Sequence, residues 1–484
     1  MTGFSSLRRR GLLAGLAGLG LARAAPAQAG QQAGRRHEWH FVAAEREARL
    51  LGPEGPASRI WSYTDGLLPV MRIRQGDSIR AVLENRLPEH TTIHWHGVRG
   101  PNAMDGVQYV TQPPVEPGQS FTYDLTPPDT GTFFLHPHCN EPGQVGRGLA
   151  AVLVVEGDEA EPADADIVLA VKDWRLAGDG AWLPFVTPQG AGRAGTFGTR
   201  RAVNGRPDFS ATVPAHGDVR LRLLNLDATR TLTPRVEGAE AVVIATDGNA
   251  LLPPAPLEGW RVGAAMRLDL LLRAPAAGGT VTLHDDFSRT PWPIARLTAA
   301  PSTRPPRPFA PRGLRPGRVP RADLARAERL PFAFSASLGL PGTAPGDIAG
   351  LPPEDPFAQV LLDSLCTGRQ TFWAINKSTW PGGAQGDHRH LPPPLAELKA
   401  GRSYIFELHN TTPHPHPIHL HGHTFEVLSL SRQEGLPRFL ADTVLLQPRE
   451  RAEIAFVAAP GNWMFHCHVL EHLETGMMGW LRIG

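Results

Sequence analysis

The sequence that decides the fold and the chemistry of this chain lies near its carboxyl end: Gly461-Asn-Trp-Met-Phe-His466-Cys467-His468-Val-Leu-Glu-His472-Leu-Glu-Thr-Gly-Met477-Met478. On an extended strand, successive side chains point to opposite faces. His466 and His468 are therefore expected on one face and Cys467 on the other, so that one tripeptide can serve two metal sites. His472 and Met477 follow five and ten residues after the cysteine, where a turn can return them to its side. Two His, one Cys and a weak axial Met form the ligand set of blue-copper electron-transfer sites.

Histidine pairs of the form His-x-His recur along the chain. With 20 His among 484 residues, random placement gives roughly one such pair, and the sequence contains seven. Three of them lie in apolar or aromatic surroundings typical of strands: His94-Trp-His96, His136-Pro-His138 and His419-Leu-His421. A single pair is more often a surface histidine or one satisfied by hydrogen bonds, and His388-Arg-His390, among Gly and Pro, is assigned to that class. Four pairs that end on the Cys467 segment predict a histidine-rich metal cluster.

The motifs, taken in order, resemble the four copper motifs of the multicopper oxidase family. They are His94-Trp-His96-Gly, His136-Pro-His138, His416-Pro-Ile-His419-Leu-His421 and His466-Cys467-His468 with His472 and Met477. The resemblance covers nearly the whole mature chain, and no ligand position departs from the family pattern. It implies an all-β fold of three Greek-key cupredoxin-like β-sandwich domains. It also implies four coppers per chain, of which one is type 1, one type 2 and two type 3.

Carried over residue by residue, the resemblance assigns every ligand. The type 1 copper would be held by His416, Cys467, His472 and axial Met477. The type 2 copper would be held by His94 and His419. One type 3 copper would be held by His96, His136 and His468, and the other by His138, His421 and His466.

Length and composition agree with a β-rich protein of two to four domains, because 484 residues exceed one core and include 51 Gly and 48 Pro. The formal net charge of +1 argues against a nucleic-acid or membrane-surface partner. The first and last domains, residues 37–157 and 321–484, contain the histidine pairs and are expected to share the cluster. The middle domain, residues 164–300, is expected to be copper-free. Residues 301–320 hold seven Pro and five Arg and predict a solvated linker rather than an anion site.

Residues 70–85 alternate polar and apolar side chains around Gly76-Asp77. This pattern predicts a β-hairpin that leads to the first histidine pair.

The first 29 residues contain four arginines and no acidic residue. A short apolar stretch at residues 11–21 and the cleavage site Ala27-Gln-Ala29 predict an export signal, and Arg9-Arg10-Gly-Leu-Leu resembles a twin-arginine signal. The alternatives are an ordinary secretory signal or a membrane anchor, but the apolar run is too short and Gly-rich to span a bilayer. The mature protein is expected in the periplasm or outside the cell, with the twin-arginine machinery as an export partner.

Cysteine use agrees only weakly with an oxidising compartment. Cys139 and Cys366 either pair, as exported proteins permit, or are both free buried thiols, and free thiols are favoured.

Proton supply to the cluster is assigned to Asp105, nine residues beyond His96, where the family carries an acid near the copper cluster. The alternative is a turn aspartate before Gly106. Asp442 resembles a recurrent acid close to the ligands. Many bacterial members carry a Glu just after the His472 position, whereas this chain has Leu473, as fungal laccases do, which puts a second proton-relay acid in doubt.

The reductant is not determined by the fold, because specificity resides in loops beside the type 1 ligands. A laccase-like oxidase of phenols or aryl amines, with dioxygen as acceptor, is favoured. A cuprous oxidase is disfavoured, since the chain has seven Met in all and the last domain has none before Leu391. A copper nitrite reductase needs far fewer histidines. The alternatives are a periplasmic cuprous or metal-ion oxidase in copper tolerance and a non-enzymatic copper-binding or scaffold protein of the same fold.

Overall fold

The computed structural model describes residues 34–157, 162–336, 372–380 and 391–484. Their regular structure is nearly all β, which confirms the predicted fold class. Among these residues the helical elements are short: the 3-10 turn Asn102–Met104, α1 (Glu141–Gly146), α2 (Pro188–Ala191) and α3 (Leu470–Glu474).

Eight strands belong to the first part of the chain: β1 (Arg36–Ala48), β2 (Ser58–Ser62), β3 (Val70–Arg74), β4 (Ser78–Asn85), β5 (His94–His96), β6 (Ser120–Leu125), β7 (Gly131–His136) and β8 (Ala151–Glu156). They form two four-stranded sheets in the orders β2-β1-β4-β6 and β3-β8-β7-β5. Side chains of both sheets, such as Phe41 and Leu153, share one apolar core. His94 is the direct neighbour of His136 across β5 and β7, so the first two histidine pairs meet in one sheet.

The hairpin predicted over residues 70–85 is wrong. β3 pairs in parallel with β8, whereas β4 pairs with β1 and β6, so the turn passes from one sheet to the other. The Asp77 carboxylate stabilises this crossing, because it accepts the backbone N–H of Arg35 at 2.8 Å and of Arg74 at 3.0 Å. A polar–apolar alternation specifies which face of a strand is buried but not which strand lies beside it.

Ten strands follow in the middle part: β9 (Ala165–Trp174), β10 (Arg200–Val203), β11 (Ser210–Pro214), β12 (Asp218–Asn225), β13 (Pro234–Glu237), β14 (Ala241–Thr246), β15 (Asn249–Pro256), β16 (Arg267–Arg273), β17 (Thr280–Asp285) and β18 (Trp292–Ala300). They form a six-stranded sheet, β10-β9-β12-β16-β14-β15, and a four-stranded sheet, β11-β18-β17-β13. Val152 and Val154 of β8 pack with Ala170 and Leu224, so apolar contacts join the first and middle parts.

In the described residues of the last part there are eleven strands: β19 (Glu328–Ala336), β20 (Trp373–Ile375), β21 (Ala396–Leu398), β22 (Ser403–Asn410), β23 (His416–Leu420), β24 (Phe425–Leu430), β25 (Phe439–Ala441), β26 (Thr443–Leu446), β27 (Arg451–Val457), β28 (Gly461–Cys467) and β29 (Met478–Ile483). Their sheets have the orders β20-β19-β22-β27-β24-β25 and β21-β29-β28-β23-β26. His419 on β23 is the neighbour of His466 on β28. The third and fourth motifs therefore lie on adjacent strands.

The described residues between 34 and 484 form one compact unit. Residues 301–320 contain neither helix nor strand, but ion pairs of Arg304 with Asp164 and of Arg307 with Asp218 tie them to the middle part. The domain limits stay a prediction, and the expected export signal lies outside the described residues. Within the described part of the chain, no helix is both long and apolar enough to cross a membrane.

Candidate metal centre

Two clusters of side chains that could bind metal meet at the last histidine pair. Cys467 belongs to one cluster, and its neighbour His466 belongs to the other. The ligand atoms of Cys467, His416 and His472 lie within 4.8 Å of one another, and so do those of His466, His138 and His421. All six side chains are buried. The alternation along β28 is the physical reason that adjacent residues contribute to different clusters.

The cysteine site is a triangle of soft and nitrogen donors. Cys467 Sγ lies 3.5 Å from His416 Nδ1 and 3.7 Å from His472 Nδ1, and the two Nδ1 atoms are 3.0 Å apart. The opposite ring nitrogens are engaged elsewhere. His416 Nε2 bonds to Thr412 Oγ1 at 2.8 Å, and His472 Nε2 donates to the backbone carbonyl of Arg193 at 2.6 Å. These hydrogen bonds leave both Nδ1 atoms free to bind a metal.

Burial raises the pKa of the Cys467 thiol far above its ordinary value and lowers the pKa of His472 to about 3. The imidazole is therefore neutral, and a metal must displace the thiol proton to bind sulfur. Met477 is fully buried. Its carbonyl accepts the N–H of Cys467 at 3.0 Å, and its own N–H donates to the His472 carbonyl at 2.9 Å. These bonds hold the predicted axial residue next to the site.

The eight predicted cluster histidines are brought together from the first and last parts of the chain. In one trio the ring centroids are 5.0–5.7 Å apart: His96, His136 and His468. In the second trio they are 5.0–5.2 Å apart: His138, His421 and His466. The remaining two, His94 and His419, are separated by 5.8 Å.

The donor set fits a multinuclear metal cluster. Buried polar atoms are normally hydrogen-bonded, yet six of the eight histidines leave one buried ring nitrogen without a hydrogen-bond partner: Nε2 of His94, His136, His138, His419 and His468, and Nδ1 of His96. In the other two, His421 Nε2 faces His466 Nε2 at 3.0 Å. Burial lowers the pKa of both of these imidazoles, which keeps them neutral as metal binding requires.

Asp105 lies directly beside the cluster. Its carboxylate Oδ2 accepts a hydrogen bond from His421 Nδ1 at 2.9 Å, and its backbone carbonyl accepts one from His94 Nδ1 at 2.8 Å. The side chain is buried. One residue thus orients two histidines whose other nitrogens face the cluster.

Asp442 joins the cluster to the middle part of the chain. Its Oδ1 lies 3.2 Å from His96 Nε2. Its two carboxylate oxygens accept hydrogen bonds from Nη1 and Nη2 of Arg267 at 2.8 and 2.6 Å. Arg267 begins β16, and its Nε donates to the carbonyl of Thr132 on β7 at 2.9 Å. Burial opposes ionisation of Asp442, but the charge of Arg267 outweighs it and lowers the pKa of that carboxyl. The middle part therefore reaches a cluster to which it was not expected to contribute.

Glu141 is an acid beside the cluster that the sequence motifs did not reveal. Its Oε1 lies 3.2 Å from His138 Nδ1 and its Oε2 3.7 Å from His136 Nδ1. Burial, and then the charge of Glu474, raises its pKa well above the ordinary value. In the sequence, the one indication of this role is that Glu141 follows His138 by three residues. Leu473 is instead buried in an apolar cluster with Trp480.

Cys139 is buried and free, and its Sγ lies 3.9 Å from Thr92 Oγ1. Cys366 and the pair His388-Arg-His390 lie outside the described residues.

A β-protein in which a Cys-His-His site and an eight-histidine cluster share one strand has the architecture of a copper oxidoreductase. Two family models, both described as multicopper oxidase, match residues 49–160 and 360–484. Multicopper oxidase MmcO of Mycobacterium tuberculosis is 30% identical over 441 residues, which cover 84% of this chain and 80% of that protein. The chain belongs to the multicopper oxidase family.

Solved structures show the same fold. The crystal structure of a multi-copper oxidase from Pseudomonas thermotolerans is 36% identical, with a TM-score of 0.79, and the match covers 93% of this chain and 100% of that chain. A second relative by sequence, Laccase-2 of Pleurotus ostreatus, is 27% identical over 468 residues, with 83% of this chain and 79% of that protein covered. The sheets therefore have the cupredoxin-like architecture expected from the motifs.

Proposed function

We propose that this protein is a laccase-like oxidase that couples one-electron oxidation of phenols or aryl amines to the four-electron reduction of dioxygen to water. Copper would supply electron acceptance at the cysteine site and dioxygen reduction at the histidine cluster. The observation that carries the proposal is the position of Cys467 between His466 and His468, because a few covalent bonds then connect the two sites.

The proposal includes four coppers and the ligand sets implied by the motifs. The type 1 set is His416, Cys467, His472 and Met477. The type 2 set is His94 and His419. The type 3 sets are His96, His136 and His468, and His138, His421 and His466. The ligand nitrogens of His138, His421 and His466 lie within 4.8 Å of one another, which supports that type 3 set. The buried ring nitrogens without hydrogen-bond partners support metal binding by the cluster as a whole.

We assign proton delivery to Asp105, because its carboxylate contacts His421 of the histidine cluster. A carboxylate at this position can hold a water and hand over protons. Glu141, whose Oε1 lies 3.2 Å from His138 Nδ1, is the acid that would compensate for Leu473.

A cuprous oxidase is the second candidate, because the family also includes metal-ion oxidases. Two of the few methionines, Met464 and Met478, pack in an apolar cluster with Trp480, where they complete a core. This use of methionine favours an organic reductant over a soft metal ion.

The predicted domain limits, residues 37–157, 164–300 and 321–484 with the linker 301–320, belong to the same proposal. Export by the twin-arginine route to the periplasm or beyond belongs to it as well. The basis for export is the arginine-rich, acid-free first 29 residues.

The test is oxygen uptake by copper-loaded protein with a phenol, Cu(I) and nitrite assayed in parallel. We expect oxygen consumption with the phenol to exceed that with Cu(I) under matched conditions. A large preference for Cu(I) with little turnover of any phenol supports the cuprous oxidase instead. Absence of turnover with all reductants, despite full copper content, supports a binding or scaffold role.

A further inference from the structure

A segment of the middle part of the chain, residues 187–199, lies against the cysteine site, and we call it the covering segment. The carbonyl of Arg193 accepts His472 Nε2 at 2.6 Å, and the carbonyl of Ala191 accepts Trp373 Nε1 at 2.6 Å. The Trp373 ring lies 4.4 Å from that of His472. The edge of His472 that points away from the sulfur therefore meets backbone of the covering segment.

The covering segment is anchored by a buried acid next to His472. Glu471 Oε1 accepts the backbone N–H of Thr187 at 2.8 Å and the hydroxyl of Thr196 at 2.7 Å, and Oε2 accepts the backbone N–H of Thr196. A Cβ added at Gly190 would lie 2.6 Å from Glu471 Oε1. This close fit holds the segment in one position over the site.

The covering segment and the neighbouring Phe287 present positive charge and aromatic rings to solvent. Arg193 is exposed. Phe197 and Phe287 are 38% and 41% exposed, with ring centroids 5.7 Å apart. The Arg230 guanidinium lies 4.5 Å from the Phe197 centroid. Exposed aromatic rings suit flat ligands, and an exposed arginine attracts anionic ones.

Resting on the proposed function, we propose that the covering segment selects aromatic donors that carry a carboxylate, with Arg193 as the residue that attracts them. The electron then enters through the hydrogen bond between the Arg193 carbonyl and His472. Each phenol loses one electron and its hydroxyl proton, so four phenols yield four phenoxyl radicals while one dioxygen becomes two waters. The same charge disfavours a cation such as Cu(I) at this edge.

The test compares a phenol carboxylate, vanillate, with its neutral amide on copper-loaded protein. Arg193→Gln removes the charge and keeps the backbone carbonyl. An exposed charge pair contributes about 0.2–1 kcal/mol, so we expect kcat/KM for vanillate to fall roughly 1.5-fold to fivefold. The loss should lie in KM, and the amide should be unaffected. Arg296→Gln is the matched control, because Arg296 is also exposed but lies on β18, opposite Ser210 and Thr282.

A second measurement uses binding without turnover. Calorimetric titration of the copper-loaded protein with 4-methoxybenzoate, which has no phenolic hydroxyl, should show weaker binding to Arg193→Gln than to the parent and to Arg296→Gln. Equal losses for vanillate and its amide, or equal effects of the two substitutions, overturn the role of Arg193 while phenol oxidation stands. If the parent oxidises neither phenol, the proposed function fails instead.

Discussion

Replacing Arg267 with glutamine should weaken both the fold and the histidine cluster. Arg267 is fully buried and donates to both oxygens of Asp442, at 2.8 and 2.6 Å. Removing one member of a buried ion pair leaves an uncompensated charge and costs roughly 3–5 kcal/mol. The lost hydrogen bond to the Thr132 carbonyl adds about 1 kcal/mol. Together these terms are a large fraction of the roughly 5–15 kcal/mol that stabilises a typical domain.

Arg220→Gln separates an effect on folding from one on the cluster. Arg220 is also buried and also pairs with an aspartate, since its Nη2 lies 2.6 Å from Asp269 Oδ2, on the strand next to β16. Both substitutions should lower the free energy of unfolding in urea by similar amounts. Only Arg267→Gln should also lower the copper content and alter the electron paramagnetic resonance spectrum of the proposed type 2 copper. Arg267, unlike Arg220, donates to Asp442, and the Asp442 carbonyl accepts Nδ1 of the proposed type 2 ligand His419 at 2.8 Å.

The refuting result is specific. If folded Arg267→Gln protein binds copper and gives a type 2 spectrum like that of the parent, the ion pair stabilises the fold without positioning the cluster. If Arg220→Gln changes the spectrum equally, the effect belongs to the sheet as a whole.

Three further predictions follow from single residues. Cys467→Ser should abolish the intense thiolate-to-copper colour and keep the type 2 resonance, and a variant that stays blue contradicts the type 1 assignment. Asp105→Asn should keep its copper and rapid reduction by substrate but slow reoxidation by dioxygen about 10²–10⁴-fold, increasingly so as pH rises. Loss of copper would instead mean that the charge of the carboxylate is needed to hold His421 for metal binding. Burial lowers the pKa of His423 to about 4, below its unfolded value, so its contribution to stability is present above about pH 6.5 and is lost as pH falls toward 4. His423→Gln should therefore show a shallower loss of unfolding free energy over that range, and an unchanged slope in urea titrations at several pH values contradicts this.

Much of the candidate site follows from local sequence, because strand geometry is local. A period of two along β28 is sufficient to place His466 and Cys467 on opposite faces. The resemblance of the histidine pairs to the copper motifs of multicopper oxidases predicts which residues share a ligand set. The same alternation misassigned residues 70–85, because burial of one face does not specify the neighbouring strand.

Only the tertiary structure determined two kinds of contact: those between residues far apart in sequence and those made by backbone atoms. Arg267 and Asp442 are 175 residues apart, and no pattern in either segment marks them as a pair. The partner of His472 Nε2 is a carbonyl of Arg193, a group that every residue carries and that sequence therefore cannot distinguish. Glu141 follows His138 by three residues, but only the structure shows that its carboxylate is buried against the His138 ring. Motifs determine which residues can bind metal, whereas the packing of three parts of the chain determines what surrounds them, because burial and electrostatics depend on all neighbours at once.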